Sequence, residues 1–265
     1  MSAGELKSFD RVAEIYDATR AMPPEVAGAV TEALLRELRS VSETPRLLEV
    51  GIGTGRIAVP LAAAGVRVTG IDISTGMLGL LRKKRDDIDV MLAVAARPPL
   101  RDASFDAALF VHILHLVPDA SATVRATLPL VRPGGVILHG QDAHPAIRGE
   151  ADALIESAIT EITGLATDVG ARRDEGRTLC ERAVQDAGGT SEVLEAARWP
   201  SRATGRRMLG RLARKDYSSS WRIPDAKLPA VLERVTPQIE ALFGGLDREV
   251  EFERAFSLFV GRLPG

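Results

Sequence analysis

Cysteine is all but missing: Cys180 stands alone in 265 residues. No internal disulfide can form, which fits a reducing compartment. No apolar run reaches the roughly 18 residues that a membrane-crossing helix needs, and no stretch resembles a signal peptide. A cytoplasmic protein without a membrane partner is therefore the expectation. Charge of one sign is also lacking, since 34 Lys and Arg face 36 Asp and Glu for a net charge of -2. That balance removes any global pull toward nucleic acid or anionic lipid, so such a partner would have to be met by a local patch. Aromatics make up only 4%, so two falling close together carry information. Repeats and low-complexity tracts are absent, and the length suffices for one large α/β domain with or without a cap.

What is present is strict alternation of strand and helix signals. Val26, Val30, Leu34, Leu35 and Leu38 give residues 24–40 a helical face, and 46–50 form a short apolar strand after Pro45. A helix carrying Ile57 and Leu61 ends at Gly65, and a second strand closes on Asp72. A helix over 75–85, a strand over 90–94, a strand from Phe105, a helix over 121–131 and a fifth strand turning in at Gly134-Gly135 follow. Helices over 150–165 and 176–187, then strands over 190–199 and 248–263, complete the pattern, with a helical insertion between those last strands. Such alternation predicts parallel βαβ units in a doubly wound sheet, with ligands at the carboxyl ends of the strands.

The first strand runs into Gly51, Gly53 and Gly55, a turn bare enough for backbone amides to approach a ligand. A dinucleotide fingerprint would place its third glycine at position 56, which is Arg56. Glu49 would repel a pyrophosphate but suits a ligand bearing an ammonium or sulfonium, and S-adenosylmethionine bears both. Asp72 is placed to accept hydrogen bonds from ribose hydroxyls.

With Glu49, the three glycines, Asp72 and "RDASFDAALFVHILHLVPD" in this order, the chain resembles the class I S-adenosylmethionine-dependent methyltransferases, especially the small-molecule branch, over about residues 9 to 145. The resemblance implies that Gly51, Gly53 and Gly55, with Thr54, cradle the methionine part and that Asp72 holds the ribose. It sets Ile73 and Met77 beside ribose and adenine, adds Val111, and leaves S-adenosylhomocysteine as product. Where the family often has an aspartate on the adenine amino group, this chain has Val94 in "VAARPPL", which leaves backbone near Ala95 and Ala96 to hold the base. "FDRVAEIYDATR" resembles the arm that folds over the cofactor, with Tyr16 closing the pocket and Arg20 pairing with the methionine carboxylate; an amphipathic surface helix is the other reading.

All four histidines fall at or beside the fourth and fifth strands, and three are expected to face one cleft. His112 and His144 are the candidates to take a proton from the acceptor, and His115 and Asp142 are candidate substrate contacts. His115 can equally cap its turn, and His139 suits core packing. A metal held by His112, His115, Asp142 and His144 is a further reading, but the expectation is no metal. Tyr217 and Trp221 place two of the rare aromatics in one turn, as substrate walls or as anchors. The run Arg202, Arg206, Arg207, Arg211, Arg214, Lys215 reads as a solvated face, an acidic-substrate contact or an RNA surface.

The expected fold is thus a Rossmann-like seven-stranded, mostly parallel α/β sheet with an N-terminal helical arm and a helical cap insertion. Its parts would be the arm at 1–40, the core at 41–200, the cap at 201–246 and the last strand at 247–265. The expected reaction is methyl transfer to an oxygen or nitrogen of a small molecule. An RNA or tRNA methyltransferase and a non-catalytic cofactor-binding module are the alternatives, and a homodimer stays open.

Overall fold

The computed structural model describes residues 22–143, 146–165, 169–216 and 220–265. Tyr16, Arg20, His144 and Tyr217 lie outside the described residues.

Pro24 opens helix α1 (Pro24–Arg39), where its missing N–H is no loss, and Val26, Val30, Leu34 and Leu38 bury one stripe. Strand β1 (Arg46–Val50) is buried from Leu47 to Val50. Burial on both faces is what a central parallel strand requires, so the stretch from Leu47 to Val50 is apolar except for Glu49. Helix α2 (Ala58–Ala63), β2 (Arg67–Asp72), α3 (Thr75–Lys84), β3 (Asp89–Leu92) and β4 (Phe105–Val111) follow. The sheet order is β3-β2-β1-β4, then β5 (Val131–Ala143), β7 (Val250–Arg262) and β6 (Thr190–Ala203). β1 pairs in parallel with both β2 and β4, which sets Glu49 between Gly70 and Leu109. The chain winds outward in one direction from β1 and in the other from β4, so the switch point lies at the carboxyl ends of these two strands. The seven-stranded, mostly parallel sheet expected from sequence is the fold observed.

Helix α4 (Ala120–Thr127) stops short of the expected 131, because Pro129 directs the chain into a 3-10 turn over Leu128–Leu130. β5 begins ahead of Gly134-Gly135, and its register against β4 shifts between Phe105 and Ala107. Helices α5 (Ala146–Thr163) and α6 (Val169–Asp186) start earlier than their periodicity indicated.

The chain forms two compact units. The first takes the described residues up to Gln141, then Arg173–Ala197 and Phe256–Gly265. Leu48, Val50, Ile71, Phe110, Val184 and Phe259 belong to its core. Cys180 is in the same core, where burial pushes its thiol up to about 12 and leaves it inert. The second unit takes Asp142–Arg172 and Arg198–Ala255. It holds the expected insertion, with helices α7 (Gly205–Ala213) and α8 (Leu228–Phe243), and also α5. Ile155 and Ile159 of α5 share one core with Met208, Leu212, Val235 and Ile239.

Five of the six basic residues in the run of the second unit meet acids. Arg202 meets Glu249 and Glu251, Arg206 meets Asp247 at 2.5 Å, Arg214 meets Asp216 at 3.0 Å and Lys215 meets Asp225 at 2.6 Å. Among the described residues no helix is long and apolar enough to cross a membrane.

Candidate functional site

The turn after β1 is built by its glycines. Gly51, Gly53 and Gly55 have φ of 74°, 57° and 78°, the left-handed region that side chains resist. Their reasons differ. A Cβ on Gly51 would lie 2.6 Å from Ile113 Cγ1, and one on Gly55 would collide with Leu81. On Gly53 it would enter open space. Two of the three glycines therefore serve packing, and Gly53 leaves room for a ligand.

Hydrogen bonds hold this turn to β2. The amides of Gly51 and Ile52 donate to Ile71 O at 2.8 and 3.1 Å. Asp72 accepts from Gly53 N on Oδ2 and from Ser74 N on Oδ1, each at 2.9 Å. Ser74 Oγ in turn caps α3 by accepting from Met77 N at 3.1 Å. Asp72 therefore braces the glycine turn, a role its spacing did not reveal. Lys84 Nζ donates to Thr54 O at 2.8 Å and ties α3 to the same turn.

Glu49 is only 3% exposed, and its Oε2 has no hydrogen-bond partner among the described residues. Burial pushes its carboxyl up to about 8; Arg56 opposes that shift and Asp72 adds to it. A buried carboxylate oxygen without a donor is costly, and an arriving cation would relieve it.

A cavity of about 270 Å³ opens beside the turn. It brings together Gly51, Gly53, Asp72, Ile73, Met77, Ala95, Val111 and His112 of the residues expected from sequence. Glu49, Thr54, Gly55 and His115 are outside its lining, while Asp142 and Trp221 belong to the second unit. There Asp142 pairs with Arg254 at 2.5 Å, and the Trp221 indole N–H donates to Lys215 O at 2.8 Å. Residues that the sequence reading missed are Ile113, Leu116, Val117, Pro118, Asp119 and Thr123, which follow β4 and complete the wall. Their signal was the apolar run into Pro118 and the capping Asp119, whose Oδ1 accepts from Ala122 N at 2.7 Å.

The histidines are not equivalent. His112 lines the cavity with φ of 53°, a strained backbone for a residue with a side chain, and meets Phe256 edge-on at 6.5 Å. His139 is instead buried in β5, with no partner on Nδ1 among the described residues. Burial, and then the charges of His112 and Arg177, hold its imidazole down at about 4. His115 lies in the turn that Leu116 N closes on Ile113 O. Among the described histidines, then, one and not three lines the cavity, because the strand pleat and the following turn aim them apart. No group of three His, Cys, Asp or Glu among the described residues could hold a metal.

A glycine turn, a buried carboxylate and an apolar cavity at the switch point of an open α/β sheet define a nucleoside-cofactor enzyme. The residues fit S-adenosylmethionine: Glu49 offers a buried carboxyl whose ionised form a cation would favour, Gly53 leaves room, and Ile73 and Met77 offer apolar surface to a purine.

Comparison with known proteins agrees. The methyltransferase domain family model matches residues 48–139. The demethylmenaquinone methyltransferase of Paenarthrobacter aurescens (strain TC1) is 28% identical over 193 residues, 72% of this chain and 76% of that protein. A putative methyltransferase from Bacillus halodurans C-125 superposes with a TM-score of 0.58 at 15% identity, over 89% of this chain and 99% of that one. The [4+2]-cyclase SpnF shares the fold at a TM-score of 0.54 and 16% identity, over 99% of both chains, so fold alone does not name the reaction. Residues 48–139 thus match a methyltransferase domain, and the chain is similar to S-adenosylmethionine-dependent methyltransferases. It is an enzyme, which removes the non-catalytic module from the alternatives.

Proposed function

We propose that this enzyme methylates a small molecule, with the ammonium and sulfonium end of the cofactor toward Glu49 and Gly53, its ribose at Asp72 and its purine among Ile73, Met77 and Ala95. The observation that carries the placement is the buried, unpartnered Oε2 of Glu49 next to a turn that is open at Gly53. When bound, S-adenosylmethionine supplies an electrophilic methyl group. The chain's own part is to orient the nucleophile, exclude water and take its proton, and His112 is the cavity-lining side chain that can accept it. Tyr16 and Arg20 enter this reading on sequence grounds as the closing arm.

The acceptor expected from sequence is an oxygen or nitrogen. Relatives named demethylmenaquinone methyltransferase, which methylate carbon of a small molecule, favour carbon as a second reading. A hydroxylated aromatic ring unites the two, since its anion is nucleophilic at oxygen and at the adjacent ring carbon. The paired arginines of the second unit speak against an RNA acceptor.

Titration calorimetry with S-adenosylhomocysteine and with a dinucleotide, followed by mass spectrometry of products from hydroxylated aromatics and amines, tests the proposal. Binding of the first ligand alone and a methylated small molecule are expected. His112→Asn, which tolerates the left-handed backbone, should retain binding and lose about 10²-fold or more in turnover. Binding of the dinucleotide instead would overturn the placement.

A further inference from the structure

The cavity is mostly carbon-lined, with few polar side chains. Its polar side chains are Asp72, His112, Asp119 and Thr123. Asp72 accepts from Gly53 N through one oxygen and from Ser74 N through the other, and Asp119 caps α4 through Oδ1. Thr123 donates its hydroxyl to Asp119 O at 2.9 Å. The wall formed by residues 93–96 contributes only Ala and Val side chains. Two hydrogen bonds hold it in place: Ala93 N donates to Asp72 O at 3.0 Å, and Arg97 N to Val94 O at 2.9 Å. Val94 lines the cavity and is still 41% exposed, so this wall opens to solvent.

These surfaces can seat a ligand with a cationic end and a flat purine end. Its charge goes toward Glu49 and the turn, and its purine toward Met77 and Val94. We propose that this chain holds the purine by shape, with no acceptor for its exocyclic amino group among the described side chains, and so accepts S-adenosyl compounds dialkylated at that nitrogen. Alkylation there forfeits no hydrogen bond to a side chain, and the added carbon projects past Val94 toward solvent. A site built to accept a hydrogen bond from that group would reject the same compounds strongly, because its acceptor would be left buried and unpaired. The inference rests on the cofactor placement proposed above.

The test is titration calorimetry of the full chain with S-adenosylhomocysteine and with its analogue carrying two methyl groups on the adenine amino nitrogen. The two affinities should agree within about fivefold, and a larger loss for the analogue overturns the inference. Val94→Asp, a change at a half-open position, should widen the gap beyond about tenfold by installing the missing acceptor; an unchanged ratio would show that Val94 does not face the amino edge. Asp119→Asn keeps the helix cap and should leave the ratio as it was. If it instead weakens only the parent compound, Asp119 is the acceptor and the inference falls. Failure of S-adenosylhomocysteine itself to bind would strike the placement of the cofactor, which keeps the two failures distinguishable.

Discussion

Glu49 shows how one residue links stability to ligand binding. Its folded carboxyl is raised from the usual 4.5 to about 8, chiefly by burial. Between those pH values the folded chain keeps a proton that the unfolded chain has lost. Its contribution is therefore fully present below about pH 4.5 and is lost as pH rises through about 8. Chemical denaturation of the ligand-free protein across that range should show this decline, and Glu49→Gln should flatten it. A cation seated beside the carboxylate favours its ionised form, so cofactor binding near pH 7 should release a proton. Calorimetry in buffers of different ionisation enthalpy measures that release, and Glu49→Gln should abolish it and weaken binding. A proton count unchanged in the variant would separate Glu49 from the ligand.

At the scale of elements, the turn between β1 and α2 separates folding from binding. Gly53→Ala carries only the left-handed backbone cost of about 1–2 kcal/mol, since its Cβ meets nothing. Gly55→Ala carries that cost plus about 1–3 kcal/mol of overpacking against Leu81. Denaturant titration should therefore rank Gly55→Ala as the less stable variant. Calorimetry should find that Gly53→Ala loses affinity for S-adenosylhomocysteine while staying folded. Wild-type affinity in Gly53→Ala would mean that this side of the turn does not face the ligand. Asp72 shows what spacing alone does not reveal: beside the ribose contact expected of it, its carboxylate clamps Gly53 to the start of α3.

For the whole molecule, charge is the property that decides partners. The net charge is -2, and the basic run of the second unit finds acids far along the chain, Asp247 for Arg206 and Glu249 with Glu251 for Arg202. Exposed pairs of this kind add little stability, but they remove the unbalanced positive field that a polyanion needs. A transfer RNA should therefore keep its electrophoretic mobility in about 50 mM salt with this protein present. A salt-sensitive shift would restore the nucleic-acid acceptor.

The alternating pattern, the glycine turn and the acidic strand ends were legible in sequence because each is a local demand. Burial on two faces writes a continuous apolar strand, and a left-handed turn writes glycine. From these the sheet and the cofactor class followed without coordinates. Only the tertiary structure decided which glycine faces open space, that Glu49 Oε2 has no hydrogen-bond partner among the described residues, that His112 and not His115 or His139 lines the cavity, and that α5 shares a core with α7 and α8. Each of these depends on what stands next to a residue in space, and those neighbours come from parts of the chain that local periodicity does not connect.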